Sequence, residues 1–157
     1  MSVVDDTLAL ALPLPNAHFI WYNAWLSIPS AIYAYSRPES AHLAAVPASV
    51  WLTSLLYWRN PLHDSWRRRL DMTFVFFGAT YQTYYAFRHI RDTPAIVGYS
   101  ALIGCSAALY RLSEFFMTCG RMWPATYAHA SIHLVANVAN MVLYASITKS
   151  VEYCKEI

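Results

Sequence analysis

The chain has 157 residues, which favours a single domain, and 57% of them are apolar while only 13% are charged. An average soluble protein carries about 25% charged residues, so the composition argues against a soluble globular protein. Lys and Arg total 11 and Asp and Glu total 9, and this net charge of +2 is too balanced for an electrostatic nucleic-acid binder. We therefore expect no nucleic-acid partner.

Charged residues are absent from five long stretches of the chain. The uncharged runs cover residues 7–36, 40–58, 72–87, 93–110 and 122–148. A helix of a water-soluble protein places charged residues along its outer face, which these runs cannot do. A bilayer core of about 30 Å is crossed by about 20 helical residues. The sequence predicts an all-α, polytopic membrane helix bundle of about five transmembrane helices, in a single transmembrane domain covering residues 1–157.

The predicted helices follow from the ends of these runs. The first spans about 16–35, with Asn16 as its N-cap. The second spans about 39–58 and is expected to kink at Pro47. The remaining three span about 66–87, 94–110 and 124–148.

Five spans place the two chain termini on opposite sides of the membrane. The loop between the second and third predicted helices carries the densest basic cluster, Arg59 and Arg67–Arg69. Because basic loops tend to remain in the cytoplasm, we expect this loop and the N-terminus to be cytoplasmic.

Connectivity also places several polar residues together. The first, third and fifth helices start, and the second ends, on one side of the membrane. We expect the polar residues there to cluster at similar depth: His18, Ser54, Asp71, His129 and His133. For Ser54 alone, a plainer interpretation is a packing hydroxyl bonded to a carbonyl of its own helix.

Two features of this cluster point to chemistry. His129 and His133 are four residues apart, so they project from one helix face and can bind the same metal ion. Asp71 opens a long uncharged run, and a carboxylate at a membrane helix is a functional candidate. The plainer alternatives are interhelical hydrogen bonds for the histidines and an ion pair of Asp71 with Arg67 or Arg68, one turn back.

The same residues resemble a known family. The chain has WLTSLLYW at 51–58, Asp71 at the start of the next helix, and HASIH at 129–133. This order and spacing resemble the alkaline ceramidase and progestin/adiponectin-receptor type of membrane hydrolase, the CREST superfamily. The resemblance covers about a third of the chain and implies zinc as cofactor, with membrane lipids as partners.

The resemblance also implies roles for individual residues. His129 and His133 would bind zinc, and Ser54 would stabilise the oxyanion or a ligand. Asp71 would orient or activate a zinc-bound water that attacks the amide of a lipid such as ceramide. A zinc-bound water is a strong nucleophile because its pKa falls to about 7.

The chain departs from the family's pattern in two respects. The family has seven spans, whereas five are predicted for this chain. The family's first ligand histidine falls at position 58, where this chain has Trp58. His18 and His63 are the two substitutes for the third ligand. We favour His18 because the first helix is expected to pack beside the fifth, whereas His63 follows a turn at Pro61 into water. The alternative is a degenerate member of the family that keeps the fold and has lost the metal.

Two other functions compete with a lipid-amide hydrolase. A non-enzymatic accessory or structural subunit of a larger membrane complex would suit the short loops and the 16% aromatic content. A haem or pigment carrier would use His129 or His133 as an axial ligand, with His18 as the second.

Overall fold

The computed structural model describes residues 10–155, with side chains up to Val151. This part of the chain is all-helical, as predicted. A 3-10 turn at Ala41–Ala44 precedes the third of six α-helices. The helices are α1 (Leu14–Ala24), α2 (Ser27–Tyr35), α3 (Ala45–Trp58), α4 (Trp66–His89), α5 (Thr93–Thr118) and α6 (Met122–Lys155).

The first predicted helix, 16–35, is two helices in the structure. Pro29 has no N–H to donate to the carbonyl of Trp25, so the α-helical pattern is interrupted one turn earlier. The chain tightens there into i→i−3 hydrogen bonds, and the Leu26 N–H donates to the Asn23 carbonyl at 3.0 Å. Asn16 is not the N-cap, because α1 already begins at Leu14.

A proline also explains the start of the second predicted helix, 39–58. Pro47 cannot donate to the carbonyl of Leu43, and the segment before it is a 3-10 turn instead of an α-helix. The Leu43 N–H donates to the Ser40 carbonyl at 2.9 Å. The predicted irregularity at Pro47 therefore lies one turn earlier, where the 3-10 turn passes into α3.

α5 is longer than the predicted 94–110, and its end has a clear cause. Gly120 has φ 69°, a left-handed conformation that glycine adopts without strain. The Gly120 N–H donates to the Met117 carbonyl at 3.0 Å, and the Arg121 N–H donates to the Phe116 carbonyl at 2.9 Å. These two bonds form a Schellman motif, which ends α5 and reverses the chain into α6.

α6 is the central element of the bundle. It packs against α5 along much of its length and also contacts α1 and α2, while α3 packs against α4, α1 and α2. One buried cluster contains Leu43, Tyr99, Leu143, Tyr144 and Ile147. A second cluster contains Leu12, Ala17, Ile20, Tyr57 and Trp58. The predicted site residues lie near this second cluster.

Two of the described helices are long and apolar enough to cross a membrane. They are Thr93–Thr118 and the Met122–Val151 part of α6, each with an 18-residue window of mean hydropathy 1.4. Only 6% of that window in α5 is buried inside the protein. A helix with so little of its apolar surface covered is unlike the core helix of a soluble protein. The finding covers two spans and not the five that the sequence predicts.

Candidate polar site at one end of the bundle

Asp71 is buried in the second turn of α4 and is bound by two hydroxyl groups of α3. Its Oδ1 accepts hydrogen bonds from Ser54 Oγ at 2.7 Å and from Thr53 Oγ1 at 2.9 Å. Within residues 10–151 the salt bridge joins Arg111 to Glu114, and Asp71 forms no ion pair with Arg67 or Arg68. The predicted proximity of Ser54 and Asp71 is therefore a direct contact.

Thr53 is a site residue that sequence reasoning missed. Neighbouring residues on a helix point about 100° apart, so Thr53 and Ser54 can both reach one acceptor only if it lies between them. The only signal was a pair of adjacent hydroxyl residues in an otherwise apolar segment. That signal cannot be distinguished from two hydroxyls bonded within their own helix.

His129 and His133 lie on the side of α6 that faces the bundle. Their ring centroids are 5.9 Å apart, as the i, i+4 spacing predicts. The side chain of His133 is buried, and its Nε2 has no hydrogen-bond partner among the described residues. A buried polar atom without a partner is rare in proteins and calls for an explanation.

Trp58 lies at the end of α3, directly beside His129. The two rings meet edge to face, with centroids 4.8 Å apart and an interplanar angle of 64°. Trp58 is 4% exposed, and its Nε1 also has no partner in the described part of the chain. The position at which the resemblance expects the first histidine is therefore adjacent to His129 in space.

A small cavity joins these residues. Its volume is about 60 Å³, which is enough for a few water molecules. Asp71, Trp58 and His129 line it, so groups from α4, α3 and α6 meet at one place. Further polar residues of its lining are Tyr57, His63, Arg68, Tyr110, Ser113 and Glu114. The contribution of α5 through the last three was not foreseen.

The two candidate substitutes for the third ligand occupy different places. The buried face of α1 contains Asn16, Ala17 and Ile20, and the side chain of His18 is exposed outside it. α1 does pack on α6, through a hydrogen bond of 2.9 Å from Asn16 Nδ2 to Thr126 Oγ1. His63 instead lines the cavity. Both histidines are exposed, and His63 differs from His18 in sharing the lining of the cavity with His129.

The donor set does not match the zinc site that the resemblance implies. Within the described residues, no three His, Cys, Asp or Glu side chains are grouped closely enough to hold one metal ion. A catalytic zinc site has three protein ligands and an open position, and Trp58 offers no lone pair for coordination. The two imidazoles of His129 and His133 are therefore an incomplete set.

A haem or pigment finds little space at the same place. Pockets that enclose most of an organic ligand measure about 300–1,000 Å³. The cavity at His129, with about 60 Å³, is far smaller.

A second polar network connects α2 and α6 near His133. Asn137 Nδ2 donates to the His133 carbonyl at 2.6 Å and to Ser27 Oγ at 3.3 Å. Ser30 Oγ donates to Asn137 Oδ1. These bonds hold the first turn of α2 against the turn of α6 that runs from His133 to Asn137.

Comparison of the chain with protein-family models, with curated proteins and with solved structures finds no match in any of the three.

Proposed function

We propose that this chain is a multi-pass membrane protein with the polar-site plan of the ceramidase-like hydrolases. The apolar surface of α5 supports a membrane location, because in water this surface would be exposed to solvent. Residues 14–35 and 41–58, each interrupted at a proline, have lengths close to the 20 residues or so that a span requires. α4, with 24 residues, is also long enough.

We further propose that the site binds the polar end of a membrane lipid by hydrogen bonds, without zinc. The observation that carries this proposal is the convergence of Asp71, with its partner Ser54, and His129 on one cavity. Both hydroxyl donors bind Oδ1, and no described residue donates to Oδ2. A carboxylate keeps several acceptor positions. The ligand group that fits is therefore a hydrogen-bond donor to Oδ2, such as the N–H of a lipid amide.

Photo-crosslinking tests this proposal. The full chain is reconstituted in lipid nanodiscs with a photoreactive ceramide analogue or with the matching ester analogue, which lacks the amide N–H. We expect the amide analogue to label the protein more strongly, and we expect the variant Asp71→Asn to remove this preference. Asp92→Asn is the matched control, because Asp92 is exposed before α5 and outside the cavity. Equal labelling by both analogues would contradict the proposal.

Zinc-dependent amide hydrolysis is the competing proposal, and metal analysis separates the two. A zinc amidase would retain stoichiometric zinc after purification and release fatty acid from ceramide. Asp71→Asn would then abolish hydrolysis with zinc still bound, and His129→Ala or His133→Ala would remove both. General-base assistance is worth about 10²–10⁴ in rate. Such a result would overturn metal-free lipid binding.

An accessory subunit is the second candidate, favoured by the outer face of α5. A Cβ added at Gly104 would meet no atom within 4 Å, so the surface of α5 around Gly104 is open for close approach by another helix. Replacing Gly104 by Leu would then release the chain from its complex in native electrophoresis of solubilised membranes. An unchanged migration would contradict this candidate.

A further inference from the structure

Arg68 is a cation of the cavity lining that has no anionic partner among the described residues. It lies one turn before Asp71 on α4, and both residues line the cavity. Its guanidinium makes one hydrogen bond there, from Nη1 to the His63 carbonyl at 3.3 Å, and no salt bridge. A guanidinium has five N–H donors, so most of this bonding capacity is unused. Glu114, another carboxylate of the lining, already pairs with Arg111 at 3.0 Å, so Arg68 remains available to an anion from outside the protein.

A wider groove adjoins this cavity at the same end of the bundle. Its volume is about 1010 Å³, and it shares His63, Glu114 and Met117 with the cavity lining. Leu10 and Phe115 give part of its wall an apolar character. The cavity of about 60 Å³ has space only for the amide end of a lipid, whereas the groove has space for the rest of a headgroup and the first part of the chains. A lipid with its amide in the cavity therefore has its headgroup near the mouth.

The order of the charged groups along α4 fits one class of lipid headgroup. Three residues of an α-helix rise about 4.5 Å, so Arg68 precedes Asp71 by this distance towards the end of the bundle. In a lipid amide with a phosphate ester on the neighbouring carbon, two carbons and one oxygen atom separate the amide nitrogen from the phosphorus. This separation is comparable to the rise between the two residues. With the amide N–H at Asp71 Oδ2, such a phosphate lies at the level of Arg68.

We infer that the site is selective for a phosphorylated lipid amide, such as a phosphorylated ceramide, and that Arg68 binds its phosphate. This inference rests on the proposed binding of a lipid amide at Asp71 and adds a second contact to it. A guanidinium offers two parallel N–H donors to phosphate oxygens, which a neutral hydroxyl headgroup cannot match. Because hydrogen bonds between charged groups are stronger than neutral ones, we expect the phosphorylated lipid to be preferred about tenfold.

Photo-crosslinking with paired lipid probes tests this selectivity. The full chain is reconstituted in phosphatidylcholine nanodiscs with a photoreactive phosphorylated ceramide or with the same ceramide without its phosphate. We expect the phosphorylated probe to label the wild type about tenfold more strongly at equal concentration. Arg68→Gln should bring labelling by the two probes to the same level. Arg69→Gln is the matched control, because this neighbouring arginine is exposed and lies outside the cavity lining.

Two outcomes of this comparison would overturn the inference. One is equal labelling of the wild type by the two probes. The other is an equal loss of preference in Arg68→Gln and Arg69→Gln, which would mean that surface charge alone attracts the anionic lipid. If Arg68→Gln fails to fold, Arg68→Lys keeps the charge without the planar fork and should reduce the preference. An unchanged preference in the lysine variant would also count against phosphate binding by Arg68.

Two further arms identify the source of the phosphate and separate the two proposals. Excess inorganic phosphate should not displace the phosphorylated probe, and displacement would point to a soluble phosphate ligand and overturn a lipid ligand. An ester analogue of the phosphorylated probe lacks the amide N–H. Equal labelling by this analogue and the amide would contradict the amide contact at Asp71 and leave the phosphate contact standing. An amide preference without a phosphate preference would contradict this inference alone.

Discussion

At the scale of single residues, the carboxylate of Asp71 depends on hydroxyl donors. Ser54→Ala removes a 2.7 Å bond to a buried carboxylate oxygen that keeps Thr53 as its second donor. A hydrogen bond to a charged group contributes about 1.5–3 kcal/mol. We expect the free energy of unfolding to fall by about this amount, measured by denaturant titration in detergent micelles. Ser100→Ala is the control, because the exposed Ser100 binds only its own helix at the Ile96 carbonyl. Equal effects of the two substitutions would show that Asp71 does not need Ser54.

A second residue-scale prediction concerns the pair Gln82 and Tyr144, which joins α4 to α6. Gln82 Nε2 donates to the Tyr144 hydroxyl at 2.6 Å, and both side chains are buried. Tyr144→Phe leaves the amide without its acceptor, whereas adding Gln82→Leu removes both polar partners. We expect a coupling of about 0.5–3 kcal/mol in a double-mutant cycle of unfolding free energies. Additive effects would mean that the two groups do not interact.

Residues also show where sequence reasoning reached its limit. Ser54, Asp71 and His129 were predicted to share one end of the bundle because connectivity alone decides that. Asn16 was predicted as an N-cap, which its residue type favours. It binds Thr126 of α6 instead, and a contact between helices so distant in sequence leaves no local signal. The same reason explains why Tyr110 and Glu114 were not expected at the cavity.

At the scale of elements, Gly78 tests the packing of α3 on α4. A Cβ at Gly78 would lie 2.6 Å from Val46 Cγ1, well inside van der Waals contact. We expect Gly78→Ala to destabilise the fold by about 1–3 kcal/mol, the usual effect of overpacking. Gly104→Ala, where nothing lies within 4 Å, should be neutral or stabilising because alanine favours the helix. Thermal unfolding of the two variants in the same detergent measures the difference, and equal melting temperatures would contradict close packing at Gly78.

The helix boundaries show what charge patterning can and cannot predict. The first charged residue after an apolar run marks where that run ends. Arg111 follows the run 93–110, so α5 was predicted to end at residue 110. The helix continues beyond that point, and Arg111 and Glu114 form an i, i+3 ion pair at 3.0 Å on its surface. It ends at Thr118, just before Gly120, which has a positive φ. Glycine was the stronger signal for the end of this helix, and the charges only mark a change of environment.

At the scale of the whole molecule, the proposed five passes make a prediction about sidedness. The N–H of Ala11 donates to the Pro61 carbonyl at 2.8 Å, and Leu10 pairs with Leu62 in an isolated β-bridge. The start of the described chain therefore lies against the α3–α4 loop, at the same end of the bundle. If α4 and α5 both cross the membrane, Asp64 and Arg121 lie on this side and Asp92 on the other.

Single-cysteine labelling in intact vesicles measures this sidedness. Cys105, Cys119 and Cys154 are first replaced by serine, and cysteine is then introduced at one of the exposed positions Asp64, Asp92 and Arg121. We expect an impermeant maleimide to label Asp64→Cys and Arg121→Cys from one side and Asp92→Cys only from the other. This outcome follows from α4 and α5 each crossing once between the labelled positions. Labelling of all three from the same side would mean that neither helix crosses the membrane, and the five-pass arrangement would be wrong.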